Sequence, residues 1–435
     1  FFEENLIKLK NNVEKGMKSA VPFYLLNNYD LPELQKKFTE KFVKNEYPKK
    51  NIIESLNKKK LNKKIRLGYY SADFCNHPVS HLIVNLFESH DRSKFELIAF
   101  SLGPKKNDEM QKRISSIFDQ FIFVNSKTEK EISLLSRKLE IDIAIDLMGF
   151  TKNNKFNIFV NRCAPIQINY LGYPGTLGSD CIDYIIGDKI VIPKTNQKNF
   201  SEKIIYLPNS YMVNDPTKKI SNKIITRKEF GLPEDSFIFC CFCKSYKITP
   251  NIFKIWMKLL NKVNGSVLWL FEENSATVKN LRLEASKRGV DDKRIIFAKH
   301  LSSLAEHFAR HKLADLFLDT FPYTAQTTCS DALWAGLPVL TKVGNSFASR
   351  VSGSLLNAID LVELITHTEE EYENIAIKLA TNQKYMNKIK NKLEKNRLSK
   401  PLFDIKLYTK HIESAYKTIY ERYNSNLPID NIKIS

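Results

Sequence analysis

LADLFLDTFPYTAQTTCSDALWAGLPVLT, residues 313–341, carries an apolar run, a polar turn, a helix-like stretch and a second apolar run in succession. Short β-branched and apolar segments joined through a helix are the repeat of a parallel sheet, because parallel neighbours need a crossover connection. The first run reaches Asp319 as it ends, and the helix opens near Thr327 and Thr328. A strand that runs out into a loop and then a helix start is where α/β folds bind ligands.

The same alternation extends in both directions from this unit and resolves into two sheets. The first is expected to take 64–71, 95–102, 118–124, 141–149, 166–172 and 182–188; the second takes 236–242, 266–272, 294–299, 316–321 and 338–343. Between them, 208–235 holds Pro208, Pro216 and Pro233 among polar residues and reads as the connection. The domain reading is therefore 1–60 helical, 61–215 a first Rossmann-like lobe, 216–390 a second, and 391–435 a helical end. The fold class is α/β, two doubly wound domains with helices at both termini. Ligands are expected at the carboxyl ends of the strands, in the cleft where the two domains face one another.

A chain of 435 residues exceeds what one core organises, and 43% hydrophobic with 26% charged residues excludes disorder. The formal charge of +19 has two readings, an anionic partner or lysine-rich solvated faces such as 43–64 and 383–400. Charge alone does not argue for nucleic acid. The seven cysteines show neither paired CxxC spacing, one CxxC followed by another, nor an even count, which argues against a disulfide framework and a zinc site. A reducing, cytoplasmic setting is expected. No apolar run approaches the roughly 18 residues that span a bilayer, and FFEENLIKLK lacks signal-peptide features. Since residue 1 is Phe, the chain is expected to be part of a longer one.

Four stretches carry candidate chemistry. At 327–331, exposed N–H groups and the positive end of a helix suit an anion, with Asp331 able to accept from ribose hydroxyls. Equally, Thr327 and Thr328 could serve only as helix caps. In FCKSYKITPNIFKIW, 242–256, a strand runs into Lys244 and Lys247 before Pro250 starts a helix. Both lysines are expected to face the cleft, where an ammonium would stabilise a departing diphosphate; ordinary surface lysines are the competing reading. In YYSADFCNHPVSHLI, 69–83, His77 follows a strand end and His81 falls on a helix, so His77 is the candidate proton carrier and His81 a packing residue. In 163–188, Gly172, Gly175 and Gly178 mark a turn that needs positive φ or close backbone approach. No GxGxxG, GxxxxGK or GxSxG motif is present, so dehydrogenase, NTPase and hydrolase readings lose support. Nor is there an Asp-x-Asp pair to hold a divalent ion on a diphosphate, and no metal or other cofactor is expected.

Taken in order, SADFCNHPVSH, APIQINYLGYPGT, DYIIGD, YKITP, VLWLFE, RIIF and TTCSDALWAGLPVLT resemble the catalytic region of the O-GlcNAc transferase family and its bacterial relatives over roughly residues 20–385. The resemblance implies the GT-B arrangement of two Rossmann-like domains, a UDP-sugar donor, a protein or peptide acceptor, and inversion without metal. It also implies tetratricopeptide repeats upstream. His77 corresponds to the family's active-site histidine and Lys247 to the lysine on the diphosphate. His307 and Arg310 match a nucleotide-binding pair, Thr327 and Thr328 the phosphate-binding threonines, and Asp331 the ribose-binding aspartate. Ser302, Ser303, Leu304, Lys244 and Gln326 complete the implied UDP site. Three of these depart from the animal pattern: Lys244 stands for a glutamine, Leu304 for a lysine and Gln326 for a histidine.

The implied reaction is transfer of a sugar, first choice N-acetylglucosamine, to Ser or Thr of a protein. The alternatives are transfer of glucose to asparagine, a UDP-sugar epimerase, and a protein-binding module of the same fold without catalysis.

Overall fold

The computed structural model describes residues 2–15, 20–48 and 63–435. It divides into two compact units, Phe1–Asp215 with Ile405–Ser435, and Pro216–Asp404.

The first unit opens with helices α1 (Phe2–Lys15), α2 (Pro22–Asn28) and α3 (Pro32–Glu46). Proline begins both α2 and α3, at a position whose N–H would have no helical partner anyway. Leu25, Tyr29, Leu34 and Phe38 pack these helices into a small core. The expectation of helices through residue 60 falls partly on 49–62, outside the described residues. There follow β1 (Ile65–Ser71), α4 (Pro78–Ser89), β2 (Phe95–Ser101), α5 (Glu109–Ile117), β3 (Gln120–Phe123), α6 (Glu129–Lys138), β4 (Ile143–Asp146), α7 (Asn157–Val160), β5 (Ile166–Asn169), β6 (Tyr184–Asp188) and β7 (Lys203–Leu207).

The second unit contains β8 (Ile238–Cys241), α8 (Pro250–Lys262), β9 (Val267–Phe271), α9 (Ser275–Ser286), β10 (Ile295–Ala298), α10 (Leu304–Arg310), β11 (Leu316–Leu318), α11 (Thr327–Trp334), β12 (Val339–Lys342), α12 (Val351–Ala358), β13 (Ile365–Thr366), α13 (Glu369–Thr381) and α14 (Gln383–Arg397). The chain then returns to the first unit as α15 (Ile405–Asn424) and β14 (Ile432–Lys433).

Every strand pair is parallel, which explains why the strands read as unbroken apolar runs: helices cover both faces. In the first sheet the order is β14-β7-β6-β5-β4-β1-β2-β3, and in the second β10-β9-β8-β11-β12-β13. Both orders reverse direction once, between β1 and β4 and between β8 and β11. At such a reversal the connections leave to opposite sides, and a crevice opens beyond the carboxyl ends of the two central strands. His77 follows β1, and Lys247 follows β8.

Three strands escape the sequence reading. β7 has only the short alternating run KIIYL amid polar residues, β13 spans two residues, and β14 joins β7 from the far end of the chain through Ile432 opposite Ile205. The expected connection at 208–235 is corrected at its start: Ser210–Asp215 is buried in the first unit. Tyr211 N donates to Asp188 Oδ2 at 2.8 Å, and Tyr408 of α15 donates to Tyr211 O at 2.6 Å. These bonds absorb the stretch into the unit it was expected to leave. The terminal helical segment is divided, since α14 stays with the second unit while Tyr170 and Tyr408 hydroxyls meet at 2.6 Å to bind α15 to the first. Helix α14 also accounts for the lysine-rich 383–400: Met386, Ile389, Leu393 and Asn396 are buried at helical spacing, and Lys384, Lys388 and Lys395 are exposed.

Gly172 shows the close approach expected of its turn. A Cβ there would lie 1.9 Å from the Leu147 carbonyl oxygen, a backbone atom that cannot turn aside. Gly172→Ala is expected to destabilise the first unit by roughly 2–3 kcal/mol or more, as overpacking against fixed atoms does. A thermal unfolding midpoint within a degree of the unsubstituted protein would contradict it.

Candidate active site

In the second unit the loops after β8 and β11 meet at the reversal point. Beyond β8 the chain turns through Ser245–Lys247, and Thr249 caps α8 by accepting from Ile252 N at 3.4 Å. Ser245 N donates to Glu273 Oε2 at 3.0 Å, and its hydroxyl reaches the same oxygen. These bonds set the two lysines apart. Lys244 is 56% exposed and pairs with Glu273 at 3.5 Å. Lys247 does turn inward: its Nζ donates to Thr324 O at 2.9 Å and lies 4.0 Å from the Tyr323 ring centroid. Burial lowers the pKa of this ammonium, while Cys243 and Asp319 pull it back up.

Asp319 organises the loop opposite. It is 0% exposed; Oδ1 accepts from Thr320 N at 2.8 Å and from Ala325 N at 2.7 Å, and Oδ2 accepts from Thr341 Oγ1 at 2.6 Å. Burial raises its pKa and the hydrogen bonds oppose that shift. The folded loop presents Thr324 O and Tyr323 to Lys247 and delivers the chain to α11. There the N-cap is Gln326, whose side chain makes no capping bond and instead reaches Tyr323 Oη at 3.4 Å. Thr327 and Thr328 are the first two helical residues, not caps, which removes the capping reading of both. Thr328 Oγ1 lies 3.4 Å from Cys243 Sγ, so the start of α11 sits against the end of β8. An uncapped helix start beside a withdrawn ammonium is a site for an anion.

A second cluster flanks it. Arg310 is 1% exposed, donates to Lys299 O at 2.7 Å and stacks 4.7 Å from the Phe242 ring centroid. Burial lowers its pKa to about 10, so it keeps its charge near neutrality. His307 lies 5.9 Å from Phe242 between ring centroids and 4.9 Å from His311. Burial first, then the neighbouring His311, Arg310 and His300, lower the His307 pKa to about 2, and the ring is neutral. An aromatic cluster of Phe242, His307 and His311 that holds a buried guanidinium beside an anion site has the character of a nucleotide site. Ser303 caps α10 by accepting from Glu306 N at 3.3 Å; Ser302 and Leu304 beside it are exposed. Asp331 is buried one turn into α11 and bonds Lys218.

In the first unit His77 is the N-cap of α4. Its Nδ1 accepts from Val79 N at 3.4 Å and lies 3.6 Å from Asp73 Oδ2. The two contacts ask opposite things of Nδ1, a lone pair for Val79 and a proton for Asp73, so Asp73 favours the form in which Nε2 is free to take a proton. Burial lowers the His77 pKa; Asp73 raises it and Lys106 lowers it further. His81 bonds Asn76 Oδ1 at 2.7 Å, in keeping with a structural role. Sequence reasoning missed Asp73, Asp319, Tyr323 and Lys218. Asp73 stands four residues before His77 and was legible; the others depend on folding.

The model for glycosyl transferase family 41 matches residues 43–225 and 217–412. Among curated proteins, the chain is 37% identical to a probable UDP-N-acetylglucosamine–peptide N-acetylglucosaminyltransferase of Arabidopsis thaliana, over 86% of this chain and 39% of that protein. It is 28% identical to the UDP-N-acetylglucosamine–peptide N-acetylglucosaminyltransferase of Caenorhabditis elegans, over 85% of this chain and 42% of that one. The chain thus spans about two-fifths of the length of these relatives. Among solved structures, an O-GlcNAc transferase mutant of Thermobaculum terrenum superposes with a TM-score of 0.85 at 24% identity, over 93% of this chain and 77% of that one. The Anabaena protein HepE, solved with UDP and glucose, gives 0.55 at 12% identity, over 81% of this chain and 100% of that one. Both likenesses show the fold, a GT-B pair of parallel-sheet domains. Among the described residues no helix is long and apolar enough to cross a membrane.

Asp73→Asn removes the one group that raises the His77 pKa, so the ring is expected to titrate at lower pH than in the unsubstituted protein. Ring-proton NMR across a pH series measures this directly; an unchanged or higher midpoint would remove Asp73 from the account.

Proposed function

The chain belongs to glycosyl transferase family 41, and from that premise we propose that it transfers a sugar, first choice N-acetylglucosamine, from a UDP-sugar to a Ser or Thr hydroxyl of a protein. The reaction inverts the anomeric centre and uses neither metal nor other cofactor. The printed names of the Arabidopsis and C. elegans relatives, which specify UDP-N-acetylglucosamine and peptide, support the donor and the acceptor class.

One observation carries the reading: Lys247 Nζ is drawn inward onto Thr324 O at the strand-order reversal, beside the uncapped start of α11. In a direct displacement the acceptor oxygen bonds to the anomeric carbon while the bond to the β-phosphate oxygen breaks and its electron pair leaves with the diphosphate. Negative charge therefore grows on the diphosphate in the transition state. Lys247, the first N–H groups of α11 and the hydroxyls of Thr327 and Thr328 are the groups we assign to that charge, and fixed donors of this kind lower the barrier because they need no reorganisation. In this reading these groups take the place of the divalent ion that neutralises the leaving group elsewhere.

To the uridine we assign His307, Arg310 and Gln326, with Ser302, Ser303 and Leu304 at the mouth of α10 and Asp331 on the ribose. Lys244, held by Glu273, is the outermost of the set. For the first unit we assign His77 to the acceptor hydroxyl, as its positioning group or its base. A cytoplasmic setting is our reading as well, supported by seven free, buried cysteines.

Lys247→Ala would leave phosphate charge uncompensated, a loss of roughly 3–5 kcal/mol, equivalent to about two to four powers of ten in rate. Turnover of UDP-N-acetylglucosamine with and without a peptide acceptor measures it and also separates transfer from epimerisation. Near-normal turnover by the variant would overturn the assignment, and a folded protein that takes up no UDP would favour the non-catalytic module.

A further inference from the structure

Helix α15, on returning to the first unit, leaves a groove along one of its sides. The groove has a volume of about 890 Å³ and is lined by a stripe of α15 that runs from Lys406 through Lys410 and Lys417 to Asn424, together with Lys63, Ile65 and Phe95. Eighteen residues of helix make that stripe roughly 27 Å long. Ile65 and Phe95 are the first residues of β1 and β2, so the groove lies at the amino ends of these strands. His77 follows the other end of β1, a strand of seven residues and hence roughly 20 Å away. None of the residues assigned to the reaction lines the groove.

The charge of the groove is one-sided. Five lysines line it against two glutamates, and both glutamates are engaged. Glu413 Oε1 accepts from His90 Nδ1 at 2.9 Å and from Asp91 N at 2.8 Å, and Glu421 pairs with Lys417 at 3.7 Å. Lys94 pairs with Asp91 at 2.7 Å. Lys63, Lys406 and Lys410 are exposed and, among the described residues, have no ionic partner. Ile65, Phe95 and Tyr420 supply apolar surface between these charges.

Length, charge and apolar surface together select the occupant. Lys406 and Lys410 stand one turn apart, roughly 6 Å along the helix. Same-face side chains of an extended peptide recur at about the same interval, roughly 6–7 Å. The stripe has room for about eight extended residues. A single phosphate would engage one pair of ammonium groups and leave the length and the apolar surface unused. A membrane surface would meet the rim and leave the interior unfilled.

We infer that this groove docks an extended, acidic peptide segment of a partner protein, with its carboxylates on Lys63, Lys406 and Lys410 and an apolar side chain against Ile65, Phe95 and Tyr420. Docking there leaves the end of the sheet that bears His77 open. The inference goes beyond the sugar-transfer reading and does not depend on it.

The test is fluorescence anisotropy of a labelled acidic peptide, EDEFEDEE, titrated with the whole chain, with KRKFKRKK as the control of opposite charge. The acidic peptide is expected to bind and the basic one not, with an affinity that falls several-fold as sodium chloride rises from about 50 to about 300 mM. Lys406→Glu with Lys410→Glu is expected to weaken binding by about ten-fold or more. Lys384→Glu with Lys388→Glu, the same reversal on the exposed face of α14, is expected to change it by less than about two-fold. Should the reversal disturb α15, Lys406→Ala with Lys410→Ala is expected to cost about three-fold or more. Equal losses from the two reversed pairs would show that the peptide follows net charge and overturn the site. Absence of binding by the unsubstituted protein, or full binding by a folded groove variant, overturns it as well. Phosphatidylserine vesicles held through Lys406 and Lys410 without any peptide binding would assign the groove to a lipid surface instead.

Discussion

A carboxylate with no access to water fixes the geometry of the second unit. Asp319 ends β11 and accepts from two backbone amides of the following loop and from the Thr341 hydroxyl of β12. Tyr372 of α13 donates to its carbonyl at 3.0 Å. These bonds hold the loop at both ends and so decide where Tyr323, Thr324 and the first turn of α11 lie. Lys247 then finds its partners already in place. A flexible loop would leave the ammonium free to return to water, where it would do little for a diphosphate; the Asp319 bonds are what make the positive charge a fixed feature of the pocket.

Positive charge in this pocket is graded by burial. Lys244, held out at Glu273, keeps its solvent; Lys247 is drawn inward; Arg310 is enclosed against Phe242; and Lys218 is enclosed against Asp331. The high net charge of the chain says little about the reaction, since much of it rides on exposed faces such as that of α14. What distinguishes the charges assigned to the nucleotide is their loss of water. The three departures from the animal pattern follow the same gradient: Leu304 and Lys244 lie at exposed positions, while Gln326 is half-buried against Tyr323.

The sequence alone located most of the strands, because a parallel sheet covered on both faces writes each strand as an apolar run bounded by turns. It could not locate β14, whose two residues acquire meaning only beside β7, nor the buried path of Ser210–Asp215, where polar composition suggested a free connection. For the candidate site, strand ends pointed to His77, Lys247 and Thr327, and the resemblance supplied their roles. The division between Lys244 and Lys247 was not legible, since two residues separate two identical side chains and only Glu273 tells them apart. Lys218 was less so: one lysine among many, its partner more than a hundred residues away.

Both loops of the second unit converge on one task, holding a diphosphate between Lys247 and the start of α11. A crystal structure of the chain grown with UDP tests it most directly. A phosphate oxygen is expected within hydrogen-bonding distance of Lys247 Nζ and another on the N–H groups of Thr327 and Thr328, with no cation between protein and ligand. UDP seated away from these groups, or reaching them through a magnesium ion, would contradict it.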